Sequence, residues 1–326
     1  MGRREEHDLI IVGAGPAGLC AAMYAGRGML DAVVLERGVP GGELLNTEWI
    51  DDYPGFEHIL GRELSAKMAA HAQKFGAVIR QENVDSISRR DDGIFEVATS
   101  GGNSFEAPAV ILTAGGTPTK LEVPGEKEYA GRGVSYCAVC DGAFFKNEIL
   151  AVIGGGDAAV EEADYLTRYA SKVYVVHRRS EFRASKILQE RLFANPKIEV
   201  IWNKRVTEFK GVPTGPQAGL RSVELVDTVT GEPSSLAATG SFIFIGFRPN
   251  TGLVKEHFEH DPSGYMITDD RMMTSIPGLY AAGDVRAQLT RQITTAVGDA
   301  TTAAIAVEKY LAERRTNSAV KARVGV

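Results

Sequence analysis

Apolar residues along this chain gather into short unbroken runs rather than alternating with polar ones. Leu9-Ile10-Ile11-Val12, Val110-Ile111-Leu112, Ile149-Leu150-Ala151-Val152-Ile153 and Phe242-Ile243-Phe244-Ile245 are such runs. A strand covered on both faces reads this way, as strands of parallel sheets do. Two of the runs lead into glycines and then a helix of small residues. After Val12 come Gly13-Ala14-Gly15-Pro16-Ala17-Gly18 and the helical stretch Leu19–Ala25, followed by the strand Ala32-Val33-Val34-Leu35 that ends at Glu36. After Ile153 come Gly154-Gly155-Gly156-Asp157-Ala158-Ala159, a helix over Val160–Tyr169 and the strand Lys172–Val176. Strand, glycines, helix, strand in that order predict an α/β fold with two Rossmann-like (βαβ) dinucleotide-binding domains.

The glycines have separate tasks. They permit the tight turn, let backbone approach a pyrophosphate, and let helix pack on strand; the helix N-terminus then stabilises the phosphate charge. Gly13 to Glu36 and Gly154 to His177 both span 23 residues, so Glu36 and His177 occupy the same position at the tip of the second strand. A carboxylate there accepts hydrogen bonds from a free ribose diol and repels a 2′-phosphate, so the first site suits FAD or NAD. The second unit has no acid at its tip. It carries His177-Arg178-Arg179-Ser180-Glu181-Phe182-Arg183 instead. Guanidinium groups make forked, charge-assisted bonds to phosphate, which favours NADPH over NADH.

Composition narrows the setting. A length of 326 residues suits two ordinary domains, and 44% hydrophobic with 24% charged residues is that of an average globular protein. The balance of 36 Lys+Arg against 42 Asp+Glu, with no block of like charge, argues against nucleic acid or a membrane surface as partner. No run approaches the ~18 apolar residues of a transmembrane helix, and Glu5, Glu6 and Asp8 fall where a signal peptide needs an apolar stretch. Three cysteines exclude a disulfide scaffold and suit a reducing cytoplasm.

Two of those cysteines carry chemistry. Cys137-Ala138-Val139-Cys140-Asp141-Gly142 precedes the second glycine loop. A C-x-x-C pair is half of a zinc site or a redox disulfide. Zinc needs two more ligands, and the chain offers only Cys20 and scattered histidines, so a dithiol/disulfide is favoured and no metal is expected. The thiolate is the species that attacks a disulfide, and Asp141 is placed to deliver or remove the proton of that exchange. Cys20, on the alanine-rich side of the first helix, reads as a buried small hydrophobe.

With these motifs in hand, the chain resembles the low-molecular-weight thioredoxin reductases. GAGPAG, CAVCDG, GGGDAAVEEA, VHRRSEFRAS and AAGDV followed by Arg291-Gln292-Ile293 run in that family's order from about Asp8 to Leu311. The resemblance implies an NADPH domain inserted into an FAD domain: residues 1–116 and 247–326 for FAD, 117–246 for NADPH and the Cys pair. The crossings are expected at Gly115-Gly116-Thr117-Pro118 and Gly246-Phe247-Arg248-Pro249, a two-strand hinge. It implies that electrons pass from NADPH through FAD and Cys137–Cys140 to thioredoxin. Cys137 is then the attacker, Cys140 faces the flavin and Asp141 is the acid/base. For cofactors it implies Gly13, Gly15, Pro16, Ala17, Gly18, Glu36, Arg37, Gly42, Glu43, Leu44, Asn46, Asp52, Gly283, Asp284, Arg291, Gln292 and Ile293 at FAD. Gly154, Gly155, Gly156, Asp157, Ala158, His177, Arg178, Arg179 and Arg183 are the set for NADPH, and Ile245 and Gly246 complete the cofactor-binding residues. It also implies a homodimer. The chain departs from the family at Glu43 and Asp52, where two carboxylates replace the usual amides near the flavin ring. The alternative is a reductase or oxidase of the same fold with another electron donor or disulfide acceptor. Beyond Leu311 the polar tail from Arg314 reads as a frayed end.

Overall fold

The computed structural model describes residues 3–47, 49–50, 52–215 and 217–324; at Asn46, Trp49 and residues 317–324 it describes the backbone alone. The chain divides into two compact units. One takes the residues up to Thr47, Tyr53–Thr117 and everything from Arg248; the other takes Pro118–Phe247 and the described residues of 48–52. The chain therefore crosses at Thr117/Pro118 and again at Phe247/Arg248, and the two crossing strands, Gly116–Pro118 and Phe247–Pro249, pair with each other.

The units share one plan. The first is centred on a five-stranded sheet in the order Leu279–Ala281, Ala109–Leu112, Leu9–Val12, Ala32–Glu36, Val78–Gln81, all neighbours parallel. Leu9, Ile11 and Ile111 point to one face, where the helices Pro16–Arg27 and Ile293–Val324 cover them. Ile10, Val12, Val110 and Leu112 point to the other, against Phe95, Val97 and Phe105 of a four-stranded sheet. Burial on both faces is why these runs are continuously apolar. The second unit repeats the arrangement in the order Val134–Ser135, Gly240–Phe244, Ile149–Gly154, Lys172–Val176, Ile198–Ile201. The helix Asp157–Leu166 covers one face, and a three-stranded antiparallel sheet, Lys204–Val212, Gly219–Asp227 and Pro233–Ala237, covers the other.

Two details differ from what the sequence implies. The second unit's helix begins at Asp157 and ends at Leu166, not Val160–Tyr169. Gly156 caps it, its carbonyl accepting from Val160 N–H at 3.2 Å, so the amide-rich end lies on the glycines themselves. Where the sequence reads as a loose end, the described backbone continues the last helix, Ile293–Val324. Polarity suggested a loose end, but after Gly298 no glycine or proline interrupts the run before Gly325, and Ala, Arg and Lys are good helix formers. Arg315 pairs with Asp8 at 2.6 Å and Arg314 donates to the Asp92 carbonyl at 2.9 Å, which fastens this stretch to the body. Cys20 is buried, as its position implied, and donates to the Val297 carbonyl at 3.4 Å; burial pushes its thiol pKa up.

Candidate active site

Three clusters hold the residues singled out above. The first surrounds the glycine loop of the first unit. Gly13 has φ +103°, and a Cβ on it would stand 2.7 Å from the Thr113 carbonyl oxygen. Gly18 is closed more tightly still, with 1.9 Å between such a Cβ and the Gly13 carbonyl oxygen, so helix rests directly on strand here. Gly15 caps the helix and Pro16 begins it; Ala17 is buried. Gly42, at φ +56°, faces Gly15 backbone to backbone, its own Cβ position 3.1 Å from Gly15 Cα. Glu36 accepts from Ala14 N–H at 2.8 Å and from Gly38 N–H at 2.9 Å, one on each carboxylate oxygen. The strand tip thus holds the glycine turn from below. Arg37, Gly42, Glu43 and Asp52 are exposed, while Leu44 is buried. The Asn46 side chain lies outside the described residues.

The C-terminal part of the same unit adds Gly283, Asp284 and the segment Arg291–Ile293. Gly283 N–H donates to Asp299 Oδ2 at 3.1 Å, and Asp299 Oδ1 is paired with Arg286 at 2.7 Å. Gln292 sits just ahead of the last helix, where its carbonyl accepts from Ala296 N–H at 3.0 Å, and Ile293 is that helix's first residue. The Arg291 guanidinium lies 4.0 Å from the centre of the buried Tyr265 ring, and its Nε is buried with no hydrogen-bond partner. Asp284 is pushed up to about 6, first by burial, with Glu43 and Asp299 adding to the rise and Arg291 opposing it. The charges of Glu43, Asp299 and Arg291 are thus all felt at Asp284. A backbone-walled turn between Gly15 and Gly42, a carboxylate at the strand tip and an unsatisfied Arg291 Nε fit FAD, whose diphosphate and ribose ask for these donors and acceptors.

The second cluster is the glycine loop of the other unit. A Cβ on Gly154 would meet the Phe244 carbonyl oxygen at 2.4 Å, whereas one on Gly156 would meet nothing within 4 Å. The helix N-terminus is thus open above Gly156, with Asp157 and Ala158 exposed. Arg183 N–H donates to the Gly155 carbonyl at 2.8 Å, and Asp157 Oδ1 accepts from Ser185 N–H at 2.6 Å. Those two bonds bring the basic run onto the loop. Arg178, Arg179 and Arg183 are all exposed beside it, so the residues fit the extra phosphate of NADPH. His177 ends the strand as counted, but its ring turns inward. It is 7% exposed, its Nδ1 lies 2.9 Å from the Gly154 carbonyl, and its ring stands where a Cβ on Gly155 would come within 2.2 Å. Phe182 and Trp202 surround it, and burial lowers its pKa. Nothing in the sequence distance predicts that inward turn. Ile245 and Gly246 lie at the second crossing, the Gly246 carbonyl accepting from Thr119 N–H at 2.8 Å.

The third cluster is the cysteine pair. Cys137 and Cys140 form a disulfide with 5.3 Å between their Cα atoms. Cys137 caps the helix Ala138–Asp141, and its Sγ accepts from Cys140 N–H at 3.2 Å. Buried Ser135 accepts from Cys137 N–H at 3.1 Å and donates to the Cys137 carbonyl at 3.3 Å. Asp141 is half-buried and lines a cavity of about 340 Å³ with Arg132, Phe144, Phe145, Glu148 and Arg221. Sequence reasoning did not find Ser135, Asp299 or Tyr265. Each acts through contacts with residues that no local motif announces.

Residues 7–300 match the family described as pyridine nucleotide-disulphide oxidoreductase. The chain is 49% identical over 319 residues to a thioredoxin reductase of Bacillus subtilis, covering 96% of this chain and 97% of that one. It is 48% identical over 307 residues to a thioredoxin reductase of Listeria innocua, covering 94% of each. Among solved structures, the thioredoxin reductase of Streptococcus pyogenes superposes with a TM-score of 0.89 at 47% identity, covering 94% of this chain and 99% of that one. This chain belongs to the pyridine nucleotide-disulphide oxidoreductase family.

Proposed function

We propose that this protein is an NADPH-dependent thioredoxin-disulfide reductase, with FAD as its resident group. The observation that carries the reading is the Cys137–Cys140 disulfide in a chain with two dinucleotide loops, the first with the carboxylate of Glu36 at its strand tip and the second with Arg178, Arg179 and Arg183 exposed beside it. FAD, when bound, takes an electron pair from NADPH and passes it to a disulfide.

The rest falls to the chain. Glu36 and the loop from Gly13 to Gly18 bind the adenosine and diphosphate of FAD, with Asp284 and Arg291 on its ribityl side. Arg178, Arg179 and Arg183 hold the 2′-phosphate of NADPH, and the open turn at Gly156 admits its diphosphate. Opening the Cys137–Cys140 bond takes up two electrons and leaves two sulfurs, one of them a thiolate. Cys140 N–H already points at Cys137 Sγ and favours negative charge there, so Cys137 is the attacking thiolate. It displaces one sulfur of the acceptor disulfide; Cys140 then attacks Cys137, the second acceptor sulfur leaves, and Asp141 supplies the proton. The unit built on Leu9–Val12 is the FAD domain and the unit built on Ile149–Gly154 the NADPH domain. The enzyme works as a homodimer in the cytoplasm, a setting its three cysteines suit. No helix among the described residues is long and apolar enough to cross a membrane.

The test is NADPH oxidation by the FAD-loaded protein with thioredoxin from the same organism, beside Cys137→Ser. One NADPH consumed per thioredoxin disulfide, and none in the variant, is the expected result. NADPH oxidation that thioredoxin fails to stimulate would overturn the acceptor assignment.

A further inference from the structure

Glu126 is a buried acid that the reaction described so far does not use. It is 3% exposed. A carboxylate in that position needs compensating donors. Three supply them: Leu121 N–H at 3.0 Å and Tyr136 O–H at 2.8 Å on one oxygen, and Glu122 N–H at 2.6 Å on the other. Glu122 has φ +58°, a left-handed conformation that a residue with a side chain adopts only when its surroundings hold it there. The turn 121–126 is therefore held in shape by the acid at its end. That turn follows the first crossing strand, where Thr119 N–H is bonded to the Gly246 carbonyl. Tyr136 lies between buried Ser135 and Cys137, the first sulfur of the pair. Leu121, Val123 and Tyr136 pack against the same apolar cluster, which keeps water from competing for the phenol–carboxylate bond.

We propose that Glu126 is a positioning residue for the redox disulfide: through the Tyr136 hydroxyl it holds the Ser135–Cys137 segment in the geometry that keeps Cys137 and Cys140 joined. The proposal rests on the reading of that pair as the redox centre. A contact that favours the closed pair makes it harder to reduce, and its loss shifts the pair toward dithiol.

The experiment equilibrates FAD-loaded protein with dithiothreitol and its cyclic disulfide. In it, dithiothreitol loses two electrons and two protons while the Cys137–Cys140 bond opens to two thiols. Thiol labelling counts the open pair, with buried Cys20 as constant background. Tyr136→Phe and Glu126→Gln are each expected to shift the equilibrium roughly three- to tenfold toward dithiol, the worth of one hydrogen bond. The double variant moves no further than the larger single one. An equilibrium within twofold of the parent protein for either variant overturns the proposal, and additive shifts overturn it too. If Glu126→Gln does not fold, Tyr136→Phe, which keeps the ring, decides alone. A parent pair that dithiothreitol opens but NADPH does not would instead sink the reductase reading and leave this proposal standing.

Discussion

The two glycine loops start from nearly the same sequence pattern and solve the strand tip in opposite ways. In the first, Glu36 is an acceptor, taking N–H bonds from Ala14 and Gly38. In the second, His177 is buried and sets its ring nitrogen against the Gly154 carbonyl. Each carboxylate oxygen keeps a lone pair beyond the backbone bond it accepts, whereas the imidazole is buried with one nitrogen on a backbone carbonyl. The exposed groups of the second unit are the next residues along, Arg178 and Arg179, with Arg183 held to the loop by its bond to Gly155. The third loop position differs as well. Gly18 leaves no space for a methyl, while the corresponding Ala159 carries one and is fully buried. One motif therefore covers two helix–strand spacings.

The largest test of that contrast is Gly18→Ala. A methyl 1.9 Å from the Gly13 carbonyl oxygen forces helix and strand apart. The expected cost exceeds about 4 kcal/mol, read as loss of retained FAD and of cooperative melting. Bound FAD at parental levels would show that the two spacings are interchangeable. The double variant Arg178→Ala/Arg179→Ala comes next. With roughly 1.5–3 kcal/mol per charged hydrogen bond, the preference for NADPH over NADH in kcat/KM falls about a hundredfold or more. A preference that survives would move 2′-phosphate recognition away from these arginines.

Much of this layout was legible because it is local. Runs buried on both faces, glycines at fixed offsets and a C-x-x-C pair each announce themselves within a few residues, and the strand Leu9–Val12, its glycine loop and the disulfide stand where those patterns put them. What was not legible depends on distant partners. The strand's length gives the position of His177 but not its rotamer, which Phe182 and Trp202 decide by closing around it 4.5 Å apart. Asp299 looks like one acid in an alanine-rich helix until Gly283 and Arg286 are found on its two oxygens. The tail was judged by polarity, although helix propensity and the Arg315–Asp8 pair govern it.

The two units also titrate in opposite senses. Asp284 has its folded pKa raised to about 6 from 3.8, so its contribution is fully present below pH ~4 and lost as pH rises through 6. His177 has its folded pKa lowered from 6.5 by burial, so its contribution is present above pH ~6.5 and lost as pH falls. In FAD-free protein the two slopes have opposite sign, that of Asp284 falling from pH ~4 to about 6 and that of His177 rising up to pH ~6.5. Asp284→Asn should remove the falling slope, a change of roughly 3 kcal/mol relative to the parent across pH ~4 to 6. His177→Phe should leave the falling slope alone. Melting curves taken across that range check both, and parallel profiles for parent and variants would show that neither group is linked to folding.

Gly156→Ala gives the smallest change in stability and the finest discrimination between the loops. Its φ of −95° suits alanine, and an added Cβ meets nothing within 4 Å. Removing a glycine's freedom in the unfolded chain favours the variant slightly, so melting should move by no more than about 0.5 kcal/mol in either direction. Yet the space the methyl takes is the approach to the helix N-terminus, where backbone amides must come within hydrogen-bond distance of a diphosphate. The KM for NADPH should rise several-fold while retained FAD and the Cys137–Cys140 disulfide stay as they were. A variant with unchanged KM would mean that the diphosphate is carried elsewhere along Gly154–Asp157. A variant that melts early would mean that the emptiness above Gly156 is needed for packing, which is the part glycine plays in the other loop at Gly18.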